Sequence, residues 1–302
     1  MEISFKKIRL EDREWIDPYL QKKMYRSCEL VFPNIYLWSR KYPTEAALVE
    51  DALVFRGYLD DGEPSMTFPA GEEAQARKAM DAVVAWFQAE GKEPRLHLVQ
   101  PAEFELLEKW YPGKFQIAYD RDAADYVYET EKLTTLAGKK LHGKRNHINK
   151  FKESYPDWVY ETLTPGNAEE CFQMALKWRE EAGCEEDEEK RAEMCVTLNA
   201  LRLLGELKLT GGLLRKSPQG EIVAFTIGEP LNPDTFVVHI EKAFPQIQGA
   251  YPMINQQFVA HEAQGYQYVN REEDTGAEGL RKAKLSYRPA FLVEKGIVSL
   301  RK

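Results

Sequence analysis

Apolar and polar residues alternate in the first half of the chain as they do in strands, until one longer segment changes to helical spacing. Strands are predicted over 46–50, 52–58 and 66–68, a helix over 72–90, and a strand over 95–99. The turn Asp60-Asp61-Gly62 separates two of the strands, and Pro94 and Pro101 bound the last one. Strands that are followed by a helix and a further strand predict a mixed sheet.

In the second half, helices come first and strands follow. A helix is predicted after Pro165, where Asn167 with Glu170 has the pattern of a capping pair. The other predicted elements are a helix centred on 194–201, a hairpin over 212–216 and 222–228, a strand over 235–241, a helix over 249–264, a strand over 266–270, a short helix over 279–285 and a strand over 291–300. This order resembles the plan of GNAT acyltransferases, in which helices precede an antiparallel meander and a β-α-β-α-β unit.

The length of 302 residues suits two domains of about 150 residues each. The first half follows a weaker version of the element order of the second half, although no sequence repeat is visible. We therefore predict an α/β protein with mixed sheets and two tandem GNAT-like domains. The boundary is expected at 120–130, which gives an N-terminal domain over 1–125 and a C-terminal domain over 126–302.

Composition narrows the classes of function. Apolar residues make up 43% of the chain and charged residues 30%, which excludes disorder, and the net charge of -8 argues against broad coating of nucleic acid or of an anionic bilayer. No stretch reaches the roughly 18 apolar residues that a membrane span needs, so a cytoplasmic protein without a membrane segment is expected. The four cysteines form no C-x-x-C pair, which indicates neither a zinc site nor a disulfide framework: Cys28, Cys171, Cys184 and Cys195.

One segment is basic in this acidic protein. Residues 132–152 contain seven Lys or Arg and no Asp or Glu. Lys144 and Arg145 in this segment are candidates to bind the phosphates of coenzyme A, of a lipid head group or of tRNA, because basic side chains form charge-assisted bonds to phosphate oxygens. The alternative is an ordinary solvated helix face.

A loop and the strand before it are the next candidates. Gln246, Gly249 and Ala250 match in part the Q/R-x-x-G-x-G/A turn with which GNAT enzymes wrap the coenzyme A pyrophosphate at a helix N-terminus. In the preceding strand, alternation places His239 and Glu241 on one face, so either could act as a general base toward an amine. The alternative is a buried pair that a nearby Lys or Arg neutralises.

The stretch 270–289 follows a strand and opens a helix. Arg281 and Lys284 lie three residues apart on that helix and could hold an anion in a common positive cleft with Lys144 and Arg145. Asp274 could instead cap the helix or anchor Arg271. The candidate substrate-binding residues are Asn270, Arg271, Asp274 and Tyr287. The run of seven carboxylates over 180–189 is interpreted as solvated, so no metal site is predicted.

Three strings, 141–152, 239–242 and 270–289, together resemble the bacterial family built on the phosphatidylglycerol lysyltransferase C-terminal domain. The resemblance covers nearly the whole chain and implies two tandem GNAT-like domains. The same arrangement occurs in the Fem aminoacyltransferases, which move an amino acid from aminoacyl-tRNA to an amine of a peptidoglycan precursor.

The resemblance implies acyl or aminoacyl transfer without a metal or a tightly bound cofactor. The donor would be aminoacyl-tRNA or acyl-coenzyme A, and the acceptor an amine or hydroxyl of a small molecule, a peptide or a lipid head group. Two alternatives remain open. One is an N-acetyltransferase that depends on acetyl-coenzyme A, and the other is a non-catalytic protein that binds tRNA or another phosphate ligand.

Overall fold

The computed structural model describes residues 2–184 and 187–301. Within them the chain forms two compact units. The first unit contains the residues up to Asp125, the segment Glu273–Glu278 and the residues from Leu292 onward. The second unit contains Tyr126–Glu272 and Gly279–Phe291. The chain therefore contributes to the first unit in three separate segments.

The elements up to residue 119 begin with a two-residue strand and a 3-10 turn, and they end with a helix that is followed by a strand. In chain order they are β1 (Lys6–Lys7), a 3-10 turn (Leu10–Asp12), α1 (Arg13–Lys22), α2 (Phe32–Trp38), β2 (Glu45–Val49), β3 (Ala52–Tyr58), β4 (Pro64–Thr67), α3 (Glu73–Ala89), β5 (Leu96–Val99), α4 (Pro101–Trp110) and β6 (Phe115–Tyr119). The predicted meander, helix and strand correspond to β2, β3, β4, α3 and β5.

The remaining elements combine six helices with eight strands among the described residues. They are β7 (Asp125–Glu129), α5 (Thr130–Thr135), a 3-10 turn (Lys139–Leu141), α6 (His142–Ser154), β8 (Val159–Leu163), α7 (Ala168–Glu181), α8 (Glu188–Arg202), β9 (Thr210–Arg215), β10 (Ile222–Asn232), β11 (Thr235–Ala243), α9 (Ala250–Glu262), β12 (Tyr268–Asn270), α10 (Glu278–Leu285), β13 (Phe291–Val293) and β14 (Gly296–Leu300). No helix in these described ranges is long and apolar enough to cross a membrane.

The first sheet has the strand order β1-β2-β3-β4-β5-β14-β6. Strands β4 and β5 are parallel, and β14 lies antiparallel to both β5 and β6. The apolar face of α3, with Met80, Val83 and Phe87 fully buried, packs in one core with Val54 and Leu96 of the sheet. Burial of a side chain of this size contributes about 1.5–3 kcal/mol, so this helix is a main source of the unit's stability.

The second sheet has the order β13-β7-β12-β11-β10-β9-β8. Strands β11 and β12 are parallel, whereas β10 is antiparallel to both β9 and β11. Helix α9 follows β11 and buries Met253, Ile254 and Phe258. Both sheets mix parallel and antiparallel pairs, which confirms the predicted α/β class with mixed sheets.

Two local predictions were wrong. The strand predicted over 291–300 is two strands in different sheets, because Lys295 between them is buried and paired with Asp125 and Glu29 of the first unit. The capping pair before α7 does not form either. Asn167 Oδ1 accepts a hydrogen bond from the Thr164 backbone N–H over 2.7 Å, and Glu170 pairs with an arginine of β9.

Candidate functional site

Glu241, near the end of β11, is the centre of a buried polar network in the second unit. Its Oε1 accepts a hydrogen bond from Arg271 Nη2 over 2.9 Å, and its Oε2 accepts one from Asn255 Nδ2 over 3.0 Å. Only 13% of the Glu241 side chain and 12% of the Arg271 side chain are exposed. Since both carboxylate oxygens are engaged, the network fixes Glu241 in place.

The strand register explains why these residues meet. The ladder between β11 and β12 ends where Val237 pairs with Asn270, but β11 continues to Ala243. Arg271 follows directly after β12 and reaches Glu241 beyond the last paired residues. Asn270 is fully buried, and its Oδ1 accepts a hydrogen bond from the Glu272 backbone N–H over 2.7 Å, so it turns the chain at this point.

Aromatic rings line the arginine. The guanidinium carbon of Arg271 lies 4.8 Å from the centre of the Tyr287 ring and 5.8 Å from that of Tyr128. Lys144 Nζ of α6 lies 4.0 Å from the centre of the same Tyr287 ring. Burial, together with the charge of Arg271, lowers the pKa of Lys144 to about 8. We call the five residues that meet here the Glu241 site: Lys144, Glu241, Asn255, Arg271 and Tyr287.

The charges of the Glu241 site do not cancel. Lys144 and Arg271 are cations, and Glu241 is the one carboxylate of the five, so the site carries a formal charge of about +1 at neutral pH. Half-buried positive charge of this kind favours an anionic group, such as a carboxylate or a phosphate, because Lys and Arg both form charge-assisted bonds to it.

His239 shares a strand face with Glu241, as predicted, but belongs to another network. Its Nδ1 lies 2.7 Å from Glu272 Oε1, and its Nε2 lies 3.1 Å from Glu229 Oε1. Burial alone would lower the pKa of His239, but the hydrogen bonds to Glu229 and Glu272 raise it to about 10. An imidazolium has no lone pair at neutral pH, so this geometry favours the buried ion pair over a general base.

The four residues predicted to share a positive cleft have different partners. Arg145 Nη1 donates to the carbonyl oxygens of Leu136 and Gly138, the latter over 2.8 Å. Lys284 is buried, and its Nζ donates to the Arg271 carbonyl oxygen over 2.6 Å and to that of Glu272 over 3.1 Å. These two residues hold backbone turns, and Arg281 is half-buried on α10. It is Lys144 that enters the Glu241 site.

The turn before α9 has a packing role. Gly249 is the N-cap of α9 with φ of 84°, and a Cβ there would collide with the carbonyl oxygen of His147 in α6. Ala250 is fully buried, and Gln246 Nε2 donates to Glu181 Oε2 over 2.9 Å. The small residues that resemble a pyrophosphate loop therefore allow α6 to pack on α9.

Asp274 lies in the first unit and does not anchor Arg271, which pairs with Glu241. Its Oδ1 accepts a hydrogen bond from the Gly276 backbone N–H over 3.0 Å, and its Oδ2 lies 3.6 Å from Arg121 Nη1. Its carboxylate is fully buried. Asp274 therefore stabilises a turn, and the alternative that it anchors Arg271 was wrong, while its role in substrate binding stays a prediction.

A buried charged cluster in the first unit was not predicted from the sequence. Lys295 Nζ lies 2.6 Å from Glu29 Oε1, 2.7 Å from Asp125 Oδ1 and 3.9 Å from Cys28 Sγ. One ligand atom each from Cys28, Glu29, Asp125 and Glu273 lies within 4.8 Å of the others, a spacing that could hold a metal ion. The ammonium of Lys295 already supplies a cation there. The cluster joins residues far apart in sequence, so no local motif marks it.

The acidic run over 180–189 falls partly outside the structure, because Glu185 and Glu186 are not among the described residues. Of its other members, Glu181 accepts the hydrogen bond from Gln246. Asp187 caps α8, since its side chain accepts hydrogen bonds from the backbone N–H groups of Glu189 and Lys190.

Comparison with known proteins first shows to which class of fold the protein belongs. A GNAT-family acetyltransferase from Colwellia psychrerythraea matches over 100% of both chains with a TM-score of 0.50 at 10% identity. The protein therefore has the GNAT acyltransferase fold, as predicted. More narrowly, the chain belongs to the family described as phosphatidylglycerol lysyltransferase, C-terminal, whose model matches residues 23–297. The predicted family is confirmed.

Three relatives show how far this likeness extends. A conserved protein of unknown function from Bacteroides thetaiotaomicron is 38% identical, with a TM-score of 0.93 over 99% of this chain and 100% of that one. The structure of L-PGS from Bacillus licheniformis shares the fold at 14% identity, with a TM-score of 0.64 over 95% of this chain and 91% of that one. An uncharacterized protein from Mycoplasmoides gallisepticum is 25% identical over 199 residues, which are 64% of this chain and 61% of that protein. The chain thus spans about three fifths of that curated relative.

Proposed function

We propose that the protein transfers an acyl or aminoacyl group from an activated ester to an amine or hydroxyl acceptor, with aminoacyl-tRNA as the donor. The observation that carries this proposal is the Glu241 site. The site carries a net positive charge, and it lies where β11 continues after its pairing with β12 has ended. The family description and the GNAT fold support the same class of reaction.

In this proposal, catalysis depends on positioning and electrostatics. Arg271 and Lys144 hold an anionic group of one reactant, while Glu241 and the ring of Tyr287 hold the guanidinium in place. Backbone N–H groups of β11 around Val238 to Ile240 polarise the acyl carbonyl. Preorganised donors of this kind stabilise the oxyanion that develops in the transition state.

The proposed step needs no side-chain base. The acceptor nitrogen attacks the acyl carbon, a new C–N bond forms, and the ester C–O bond breaks. The departing alkoxide takes up the proton that the nitrogen loses, so atoms and charge balance. This route suits a site in which Glu241 is ion-paired and His239 is held protonated between two carboxylates.

The choice of donor rests on two features of the second unit. Residues 132–152 contain seven basic side chains and no acidic one. Apart from Arg145, which holds a backbone turn, and Lys132, which lies 2.8 Å from Glu129, these side chains suit the phosphates of an RNA. The turn at Gly249 is packed against α6, so its small residues have a role without coenzyme A. Aminoacyl-tRNA is therefore favoured over acetyl-coenzyme A.

A single-turnover assay tests the proposal. Total tRNA charged with labelled amino acids, or labelled acetyl-coenzyme A, is mixed with the protein and a pool of amine and hydroxyl acceptors. Transfer from charged tRNA is expected, with at least a tenfold loss in Arg271→Lys and in Lys144→Met. Glu278→Gln, an exposed carboxylate on α10, is the matched control. Transfer from acetyl-coenzyme A alone, or equal rates in all variants, would contradict the proposal.

A second candidate is a non-catalytic protein that binds a phosphate ligand or tRNA. It is favoured by the ion-paired state of both predicted bases, Glu241 and His239. Tight tRNA binding without any turnover in the same assay, together with loss of that binding in Lys144→Met, would decide for this candidate.

A further inference from the structure

Two buried polar atoms of the Glu241 site lack a hydrogen-bond partner among the described residues. They are Asn255 Oδ1 and Arg271 Nη1. Only 1% of Asn255 is exposed. A buried polar group that forms no hydrogen bond costs about 1–3 kcal/mol, so two such atoms in one network point to a ligand that would satisfy them.

The roles of the two atoms are fixed by chemistry. A carboxylate only accepts hydrogen bonds, so Asn255 must turn its Nδ2 toward Glu241, and its Oδ1 is left as an acceptor. The guanidinium of Arg271 donates through Nη2 to the same carboxylate, and its Nη1 is left as a charged donor. Glu241 is therefore flanked by one acceptor and one cationic donor, neither of which has a hydrogen-bond partner among the described residues.

The two atoms belong to side chains that share Glu241 as a hydrogen-bond partner. Each belongs to a group that bonds directly to Glu241, over 2.9 Å for Arg271 and 3.0 Å for Asn255. Both atoms are shielded from solvent, and the long side chain of Lys144 lies over the Tyr287 ring that also contacts Arg271.

We infer that the Glu241 site binds a molecule that carries both an amine and an anionic group. The anion, a carboxylate or a phosphate, lies on Arg271 Nη1 and Lys144, and an amine N–H donates to Asn255 Oδ1. This inference rests on the proposed function, for which it names the acceptor as an amine with an attached anion. Amino acids and phosphoethanolamine head groups are two sources of that chemistry.

Binding of the amine at Asn255 also orients it. The amine enters uncharged after giving one proton to solvent, and an N–H bond directed at Oδ1 leaves the nitrogen lone pair free to face the acyl carbon. The C–N bond then forms, the ester C–O bond breaks, and the second proton leaves with the alkoxide. Asn255 is thus a positioning residue with a direct contact to the acceptor.

Titration calorimetry without any acyl donor tests the inference. The probes are L-lysine, β-alanine and phosphoethanolamine, which carry both an amine and an anionic group. They are compared with molecules that carry only one of the two groups: ethanolamine for the amine, and acetate or inorganic phosphate for the anion. Compounds with both groups are expected to bind at least tenfold more tightly than either half. Preference for carboxylate or for phosphate identifies the source. Equal binding of the halves and the whole compounds, or no binding of any probe, would overturn the inference.

Two variants test the two ends of the ligand separately. Asn255→Leu should weaken binding of phosphoethanolamine about tenfold, which corresponds to about 1.4 kcal/mol, and leave inorganic phosphate unchanged. Arg271→Lys should weaken both probes. Gln257→Ala, a half-buried amide on the same helix, is the control. Thermal melting identifies a variant that does not fold, in which case Asn255→Ser takes the place of Asn255→Leu. Binding by Asn255→Leu equal to that of the parent protein would refute the inference.

The inference and the proposed function fail in different ways. Probes that bind as expected but are never acylated would contradict the transferase and leave the binding site intact. Transfer to acceptors that lack an anionic group, without binding of the probes, would support the transferase and refute the inference.

Discussion

Arg271 donates a hydrogen bond over 2.9 Å to Glu241, a residue 30 positions earlier in the chain. The two residues meet because β11, α9 and β12 form a parallel strand crossover that returns the chain to the neighbouring position in the sheet. The ion pair forms beyond the last paired residues of these strands, at the place of the proposed transfer reaction. Their separation in the sequence conceals this relationship.

Replacement of Glu241 by Gln should first affect stability. The change leaves the Arg271 guanidinium buried without its counter-charge, which typically costs about 3 kcal/mol for a pair with this little exposure. A corresponding shift of the urea midpoint is expected, with the slope of the transition unchanged. Glu278→Gln on the exposed part of α10 is the control and should unfold like the parent protein.

The same variant decides whether Glu241 is a base. If Glu241 mainly positions Arg271, single-turnover transfer below the melting temperature should fall together with binding of the anionic ligand. A variant of unchanged stability and ligand binding that has lost transfer would restore Glu241 as the general base, which was the other interpretation of its place on the strand face.

His239 should make stability depend on pH in the alkaline range. Burial opposes its charge, but the hydrogen bonds to Glu229 and Glu272 raise the pKa of His239 from 6.5 to about 10. The folded protein therefore binds this proton more tightly than the unfolded chain. The stability it contributes is complete below about pH 6.5 and is lost as the pH rises through about 10.

A comparison of the parent protein with His239→Gln measures this contribution. The difference in unfolding free energy between the two should be largest near pH 6 and should shrink steadily toward pH 10. A difference that does not change with pH would mean that the ring is neutral in the folded protein.

The sequence predicted most elements of the fold because their signals are local. Strands β2, β3, β10 and β11 follow from alternation, and α3 and α9 follow from helical spacing. Helices α1, α2, α4 and α5 were missed, and a helix at α6 was considered only as the alternative interpretation of the basic segment. In α6 only Ile148 and Phe151 are buried, so its apolar pattern is too sparse to define the helix. The break at Lys295 was missed because its partners, Asp125 and Glu29, are distant in sequence.

The site was predictable in part for the same reason. Residue type and position indicated Lys144, Glu241, Arg271 and Tyr287, and the structure brings these four together. Asn255 could not be found from the sequence, since a buried amide on a helix differs from an exposed one only through its tertiary contacts. The partners of Arg145 and Lys284 are backbone carbonyl oxygens, which no sequence pattern reveals.

Lys144 should link anion binding to pH. Burial and the neighbouring Arg271 lower the pKa of Lys144 to about 8 in the free protein, and a bound anion would raise that pKa. Binding therefore takes up protons near this pH, and affinity for sulfate, which does not titrate here, should fall as the pH rises from 7 to 9.

Two variants separate charge from titration. Lys144→Arg should keep the affinity for sulfate but remove its dependence on pH, because a guanidinium does not lose its proton in this range. Lys144→Met should weaken binding about fivefold to tenfold at pH 7. A parent protein whose affinity for sulfate is the same at pH 7 and pH 9 would show that Lys144 does not contact the anion.

Gly249 should tolerate no side chain. Its φ of 84° is strained for any other residue, and a Cβ would collide with the His147 carbonyl oxygen of α6. Gly249→Ala should therefore lose about 3 kcal/mol of unfolding free energy, from backbone strain and overpacking together. Gly265→Ala is the matched control, because Gly265 also has a positive φ of 94° but has no atom within 4 Å of an added Cβ. It should lose only the smaller contribution of strain, and an equal loss in both variants would exclude the collision.

Lys295 should be the most sensitive charged residue of the first unit. Its side chain is 1% exposed, and it pairs with Asp125, which is fully buried, and with Glu29. Burial opposes the charge of Lys295, but the neighbouring carboxylates, chiefly that of Asp125, raise the pKa of Lys295 well above its ordinary value. Lys295→Met leaves the buried Asp125 without a counter-charge, so about 3–5 kcal/mol of unfolding free energy should be lost.

The neighbouring thiol reports whether this loss is local. Burial and the charge of Asp125 raise the pKa of the Cys28 thiol well above its ordinary value, so native protein should react with iodoacetamide at the exposed Cys195 and not at Cys28. In Lys295→Met, labelling of Cys28 should rise as the cluster opens, while Cys195 stays the same. Replacing Asp125 by Asn as well removes the unpaired charge, and the double variant should regain part of the stability. A double variant less stable than Lys295→Met would show that packing, and not the unpaired carboxylate, dominates at this cluster.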